Sequence, residues 1–233
     1  MPHPASIAID QSQTLADRVF EQIQTAIVRG EIPSGSKLSE ADLARQYGIS
    51  RGPLREAMRR LEARRLLEHA PHVGARVVSL SHPELIEIYS CREALEGMAC
   101  RLAAEQMHPD EIDALYKLLA DHESQVRDGA PEAGYYQKEG DLDFHYRIIQ
   151  GSNNETLTRI LIGELYYLVR MYRYQFSTYA HRTHQAIKDH YQIVDAIAAR
   201  DGELAEMLMR RHIGSARKNI EASYQEHLNR GSV

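Results

Sequence analysis

Apolar residues recur at helical spacing along nearly the whole chain. Leu15, Val19, Ile23, Ala26 and Ile27 fall three and four apart, which predicts a helix ended by Gly30. Ile32-Pro33-Ser34-Gly35-Ser36 is turn chemistry. Ser39, with Asp42 three residues on, resembles a capping box and opens a short helix around Leu43 and Ala44 that Gly48 closes. Ser50 then opens a third helix, its hydroxyl expected to accept from the first-turn amides. Pro53 lies in that first turn, where its missing N–H costs nothing. This helix buries Leu54, Ala57, Met58 and Leu61 and runs to about Leu66. Helix, tight turn and helix make a helix-turn-helix. Residues 66–69 and 75–78 read as two short strands around a turn at Pro71–Gly74, a β-ribbon or wing. Gly74 at its tip lets the backbone approach a phosphate closely.

The pattern changes after Ser79. Ser81-His82-Pro83-Glu84 is another helix opening, with a cap, an early proline and a glutamate at the capping-box position. From there on, helical stripes cover 82–107, 109–128, 132–150, 154–176, 178–200 and 202–228. Pro109, Gly129-Ala130-Pro131, Gly151-Ser152-Asn153 and Asp201-Gly202 interrupt them. Short connections between six helices imply an antiparallel bundle. The expected fold is therefore mostly α. Residues 1–12 form a disordered arm, 13–79 a winged helix-turn-helix of three helices plus a two-stranded wing, and 80–230 an all-helical antiparallel bundle.

Overall charge hides the functional contrast. The chain carries a formal charge of −5, yet residues 1–79 sum to +2 and the remainder to −7. Between Arg45 and Arg65 seven arginines face only Glu56 and Glu62, a local patch suited to an anionic partner. Arg51 and Arg55 lie one turn apart at the N-terminus of the third helix, the end that enters a major groove in a helix-turn-helix. Guanidiniums and free amides there suit phosphates and guanine edges. No stretch reaches the length of a membrane span and no signal pattern opens the chain, so a cytoplasmic protein is expected. Cys91 and Cys100, nine apart in one helix, read as packing thiols in a reducing compartment.

Inside the bundle, Asp141 and His145 are four apart, beside Leu142, Phe144 and Ile148. His190 and His212 sit at core-like places on the last two helices. One carboxylate and three imidazoles from three helices admit two readings: hydrogen-bonded core residues, or ligands for a divalent ion such as zinc or nickel. Arg92, among Ile88, Tyr89, Leu95 and Met98, needs an acidic partner, either Glu93 or Glu96 or a bound anion. The tyrosines between 166 and 179 read mainly as amphipathic packing.

Leu38–Ala44, Gly48–Ala57 and Leu61-Glu62 together resemble the winged helix-turn-helix of GntR-family bacterial transcription regulators. Arg92–Glu96, the run from Asp141 to His145, Gly151–Asn154, Asp189-His190 and Arg211-His212 resemble the FCD effector-binding domain of the FadR subfamily, in its six-helix, VanR-like form. The resemblance implies a homodimer that binds a palindromic operator of double-stranded DNA, usually as a repressor, and releases it when a small carboxylate binds the bundle. It implies DNA contacts from Ser50, Arg51, Arg55 and Gly74, and places Arg45 and Gly52 on the same surface. It implies a divalent metal, zinc or nickel, held by Asp141, His145, His190 and His212, with Arg92 and Asn154 at the effector. Two departures stand out. Ala41 occupies a position where many members carry a DNA-contacting arginine, and Gly52 replaces the commoner threonine.

The expectation is a ligand-responsive transcription regulator without catalytic activity. Two alternatives compete: a metal-sensing regulator in which the ion is itself the signal, and a helical metalloenzyme that activates water. The enzyme reading leaves the arginine-rich winged segment without a purpose and offers no evident general base.

Overall fold

The computed structural model describes residues 14–70, 74–128, 143–176 and 183–230. By internal contacts the chain divides into two compact units, Met1–Val78 and Ser79–Val233. The proposed arm at 1–12 and the wing-tip residues 71–73 lie outside the described residues.

The first unit is built from α1 (Leu15–Val28), β1 (Lys37–Leu38), α2 (Glu40–Tyr47), α3 (Arg51–Ala63), β2 (Leu67–Ala70) and β3 (Gly74–Val77). Thr14 caps α1 in a reciprocal box with Asp17, which satisfies amides that the helix cannot. The apolar stripe of α1, led by Phe20, Ile23 and Ile27, packs on α3 through Leu54 and Leu61, all four of Ile23, Ile27, Leu54 and Leu61 being fully buried. Arg60 of α3 and Arg64, its C-cap, cover the Phe20 ring, with guanidinium carbons 4.1 and 4.6 Å from its centroid. Gly48 ends α2 in the left-handed region at φ 63, which a side chain would strain.

Two expectations change here. The third helix ends at Ala63 rather than near Leu66, because Arg65 turns the chain at φ 57. The wing belongs to a three-stranded antiparallel sheet, order β1-β3-β2, with Lys37 opposite Arg76 and Glu68 opposite Arg76 on the other side. A two-residue strand such as β1 has no periodicity to betray it.

The second unit is helical: α4 (His82–Gln106), α5 (Pro109–Asp128), α6 (Phe144–Gly151), α7 (Glu155–Thr158), a π-helical segment Arg159–Leu165, α8 (Tyr166–Phe176), α9 (Thr183–Ala198) and α10 (Gly202–Arg230). The Ser81–Glu84 capping box opens α4 as the sequence implies. Helix α4 packs along α10, α5 on α9 and α6 on α4. Their shared core includes Leu115, Leu119, Phe144, Ile148, Ile193, Val194, Ile197, Met209 and Ile213. The stripe expected as one helix over 154–176 contains the π-helical segment, which keeps the apolar residues inward while widening the turn. Cys100 is buried in this core, whereas Cys91 is exposed and is not a packing thiol. Among the described residues no helix is long and apolar enough to cross a membrane.

Candidate functional site

Within the first unit, Arg45, Ser50, Arg51, Gly52 and Arg55 are all exposed, around the start of α3. Ser50 holds the N-cap conformation (φ −75, ψ 163) but makes no side-chain capping bond. The expected hydroxyl cap is therefore replaced by open first-turn amides, and no acidic residue occupies that turn. The positive end of the helix dipole is left facing outward. Glu40 Oε2 accepts from Arg55 Nε at 2.9 Å, and Arg45 pairs with Asp42 at 3.3 Å. Arg55 is thus aimed by a side chain of the preceding helix. Gly74 takes φ 91 at the start of β3, a conformation that favours glycine.

In the second unit three imidazoles converge. His145 from α6, His190 from α9 and His212 from α10 each bring a potential ligand atom within 4.8 Å of the others. The Nε2 atoms of His190 and His212 are 3.3 Å apart. Phe144 stacks on His190 with ring centroids 3.9 Å apart, wedging it against the core. Burial pushes the His190 imidazole well below its ordinary pKa. Burial likewise lowers His212 to about 4, against the opposing effect of a hydrogen bond that its ring donates to Asp189. Neutral imidazoles are what a divalent ion requires.

The outer contacts also fit such an ion. His212 Nδ1 lies 3.2 Å from Asp189 Oδ2, and His145 Nδ1 lies 2.7 Å from Glu96 Oε2. Carboxylates on Nδ1 favour the tautomers that present Nε2 as a lone pair. Burial alone would raise the Glu96 carboxyl, but Arg92 and His145 outweigh it and hold it at about 2. His122, buried on α5, adds its field to His190.

The expected ligand Asp141 lies outside the described residues. The helix bearing His145 starts only at Phe144, with Asp143 as an extended N-cap at φ −110, ψ 124. Asp143 is the acidic residue described here: its Oδ1 accepts from the amides of His145 (3.0 Å) and Tyr146 (3.3 Å).

Beside the histidines, Arg92, Glu96, Asp143, His145, Arg170 and Arg173 line a pocket closed by Ile149, Leu161, Leu165, Tyr166 and Val169. Its free volume is about 20 Å³, room for water rather than an organic molecule. Arg92 Nε donates to Glu96 Oε1 at 2.7 Å, which selects Glu96 from its two possible sequence partners. Arg170 Nη1 lies 3.5 Å from Asp143 Oδ2. Asn154 does not line this pocket; its Oδ1 caps α7 by accepting from Leu157 N at 3.0 Å. Asp143, Arg170, Arg173 and His122 escaped the sequence reading. None of these four has a spacing signal, unlike Glu96, whose one-turn distance from Arg92 made it a candidate partner.

Residues 15–77 match the family described as bacterial regulatory proteins, gntR family, and residues 87–215 match the FCD domain. A probable D-xylose utilization operon transcriptional repressor of Paenarthrobacter nicotinovorans is 32% identical over 207 residues, covering 87% of this chain and 87% of its own length. The HTH-type transcriptional repressor GlaR of Escherichia coli (strain K12) is 29% identical over 202 residues, covering 83% and 90% respectively. Among solved structures, E. coli McbR/YncC has a TM-score of 0.69 at 23% identity, covering 91% of this chain and 99% of that one, a likeness of fold.

Proposed function

Because this chain belongs to the gntR family of bacterial regulatory proteins and carries an FCD domain, we propose that it is a cytoplasmic repressor released from DNA by a small carboxylate. Its relatives are transcription regulators, not enzymes. In this reading a homodimer places each α3 in a major groove of a palindromic operator. Arg51 and Arg55 read base edges while Ser50, Arg45, Gly52 and Gly74 sit against the backbone. The uncapped, acid-free first turn of α3 supports that role. The names of two relatives as repressors support the sign of regulation.

The observation that carries the ligand half is the convergence of three histidines, His145 and His190 buried and His212 partly so, beside a pocket lined by Arg92. His145, His190 and His212 would hold a divalent ion, zinc or nickel, with Asp141 as a further candidate ligand. The ion would supply a Lewis-acidic cation for an anion, and Arg92 a charge-assisted contact. Such a ligand shifts DNA binding only by its differential affinity for the binding and non-binding states.

Selection from a random duplex pool tests the reading. The purified protein should enrich one palindromic sequence, and a small carboxylate should release it. Absence of enrichment in every metal and metabolite condition overturns the reading. A second reading, that the ion is the signal, rests on the same histidines. It predicts that a chelator alone switches operator binding.

A further inference from the structure

The small sheet of the first unit sets two cations side by side where folding gains nothing from them. Lys37 of β1 and Arg76 of β3 are direct antiparallel partners, and both are exposed. Residues paired in this way share one face of a sheet, with Cβ atoms about 4.5–5.5 Å apart, and like charges so placed repel. Their neighbours Leu38, Ala75 and Val77 are buried, so the core covers the opposite face. Hydrogen bonds fix the arrangement. Val77 N donates to Ser36 O and Gly35 N to Val77 O, both at 2.9 Å, while Ser36 Oγ donates to Pro33 O at 2.6 Å. The turn before β1 is thereby tied to β3, and Lys37 is held opposite Arg76.

Other cations of this unit show what a folding role looks like. Arg29, Arg45, Arg55 and Arg60 pair with Glu31, Asp42, Glu40 and Asp17 respectively, and Arg64 donates to Gln24. Glu68 of β2 flanks Arg76 from the side away from Lys37. Yet among the described residues Lys37, Arg76 and Glu68 enter no ion pair. The undescribed residues of this unit, 1–13 and 71–73, add a single acid, Asp10. Two cations against one carboxylate leave the exposed face of the sheet positive, which favours an anion there. Arg76 follows Gly74 by two residues on one strand and so shares its face. The pair is therefore continuous with the position that the DNA reading sets against the backbone.

We propose that Lys37 and Arg76 form a clamp that takes one backbone phosphate of bound double-stranded DNA between an ammonium and a guanidinium. This inference rests on the reading of the first unit as a DNA-binding module. A phosphodiester has two unesterified oxygens, so each cation meets its own acceptor in a charge-assisted bond. The arriving negative charge offsets the repulsion that the free protein carries. Such a contact conveys no sequence information; it fixes the register of the protein on the duplex and strengthens binding to any sequence.

The test is a salt titration of the full chain on two duplexes, the sequence enriched by selection and an unrelated one. Each phosphate neutralised contributes about 0.9 to the slope of log affinity against log salt. The double variant Lys37→Gln/Arg76→Gln should therefore lower that slope by about one. It should weaken both duplexes by a common factor, roughly three- to tenfold, and leave their ratio unchanged. Arg76→Lys keeps the cation and should keep the slope. Arg29→Gln removes a cation already paired with Glu31 and controls for net charge; its slope should stay at the wild-type value. The melting temperature of the double variant should not fall, because a repulsion is removed with the two charges. An unchanged slope in the double variant, an equal loss in Arg29→Gln, a loss confined to the selected duplex, or a lowered melting temperature overturns the clamp. Each of these leaves the DNA reading standing as long as the wild type prefers its selected sequence. A wild type with no preference for any duplex overturns both.

Discussion

His190 and His212, twenty-two residues apart on successive helices, face each other through their Nε2 atoms at 3.3 Å. Burial keeps both imidazoles largely neutral in the physiological range, so two lone pairs are available at one point without proton release. Replacing His212 by Gln should therefore remove stoichiometric divalent metal from the purified protein. Operator affinity in the absence of effector should stay within about threefold of wild type, since the DNA surface lies in the other unit. Elemental analysis together with gel-shift titration checks this, and undiminished metal content counts against the histidine cluster as the site.

Asp189 contributes at one remove. Its carboxylate holds His212 through Nδ1 at 3.2 Å, which orients the ring and would raise its basicity toward the proposed ion. Outer carboxylates of this kind are worth about 10–100-fold in metal affinity. Asp189→Ala should show a loss of that size in competition with a chromophoric chelator, without loss of helical content. An affinity unchanged by the substitution would show that His212 needs no such support.

Much of this was legible beforehand. Glycine and serine signals place the limits of α2 at Ser39 and Gly48, and the Ser81–Glu84 box places the start of α4, because caps act locally and leave a local trace. His190 and His212 were identified because imidazoles within an apolar stripe are conspicuous. Asp143 was not, because its role depends on where α6 begins, and the spacing of Asp141 to His145 suggested a longer helix. Neither was the π-helical segment, whose apolar residues at 157, 161 and 165 also suit an α-helix. Arg170 and Arg173 gain meaning only once α8 is packed against α6, a tertiary fact with no sequence period of its own.

The base-reading role proposed for α3 predicts a selective loss. Arg51→Ala and Arg55→Ala should each cost about 1–3 kcal/mol of operator binding and relax preference at one base pair. For Arg55 part of the effect is orientation, because Glu40 holds its Nε at 2.9 Å. Glu40→Ala should accordingly blur the same base position that Arg55→Ala blurs, while leaving affinity for nonspecific DNA unchanged or higher. Competition against single-base operator variants reads this directly. Full specificity in both arginine variants would remove α3 from the groove.

Acid should loosen the first unit through Asp17. Hydrogen bonds from Thr14 and Arg60 lower its carboxyl from 3.8 to about 2. A pKa depressed on folding means that the unfolded chain binds the proton first. The stabilisation is complete above about pH 3.8 and disappears as pH falls through about 2. Asp17→Asn should thus lower the melting temperature of this unit at neutral pH, with the gap to wild type closing between those two values. Thr14→Ala, which removes the cap itself, should cost about 1 kcal/mol. A melting gap for Asp17→Asn that persists unchanged at pH 2 would mean that the charge is not what matters.

Gly52 separates the folding demands of α3 from its DNA demands. It lies in the first turn, and a Cβ built there meets nothing within 4 Å. Its backbone is ordinary helix, so no left-handed conformation requires glycine. In the free protein Gly52→Ala should therefore stabilise the first unit by about 0.5–1 kcal/mol, by restricting the unfolded chain and improving helix propensity. A glycine retained at that cost to stability, beside Arg51 at an exposed helix start, is explained if the backbone approaches the nucleic acid. Operator affinity should then fall in the same variant that melts higher. Chemical denaturation and operator titration on one preparation measure the two effects together. A variant that melts higher and also binds DNA as tightly as wild type would remove the close approach at Gly52 and leave Arg51 and Arg55 as the contacts of that turn.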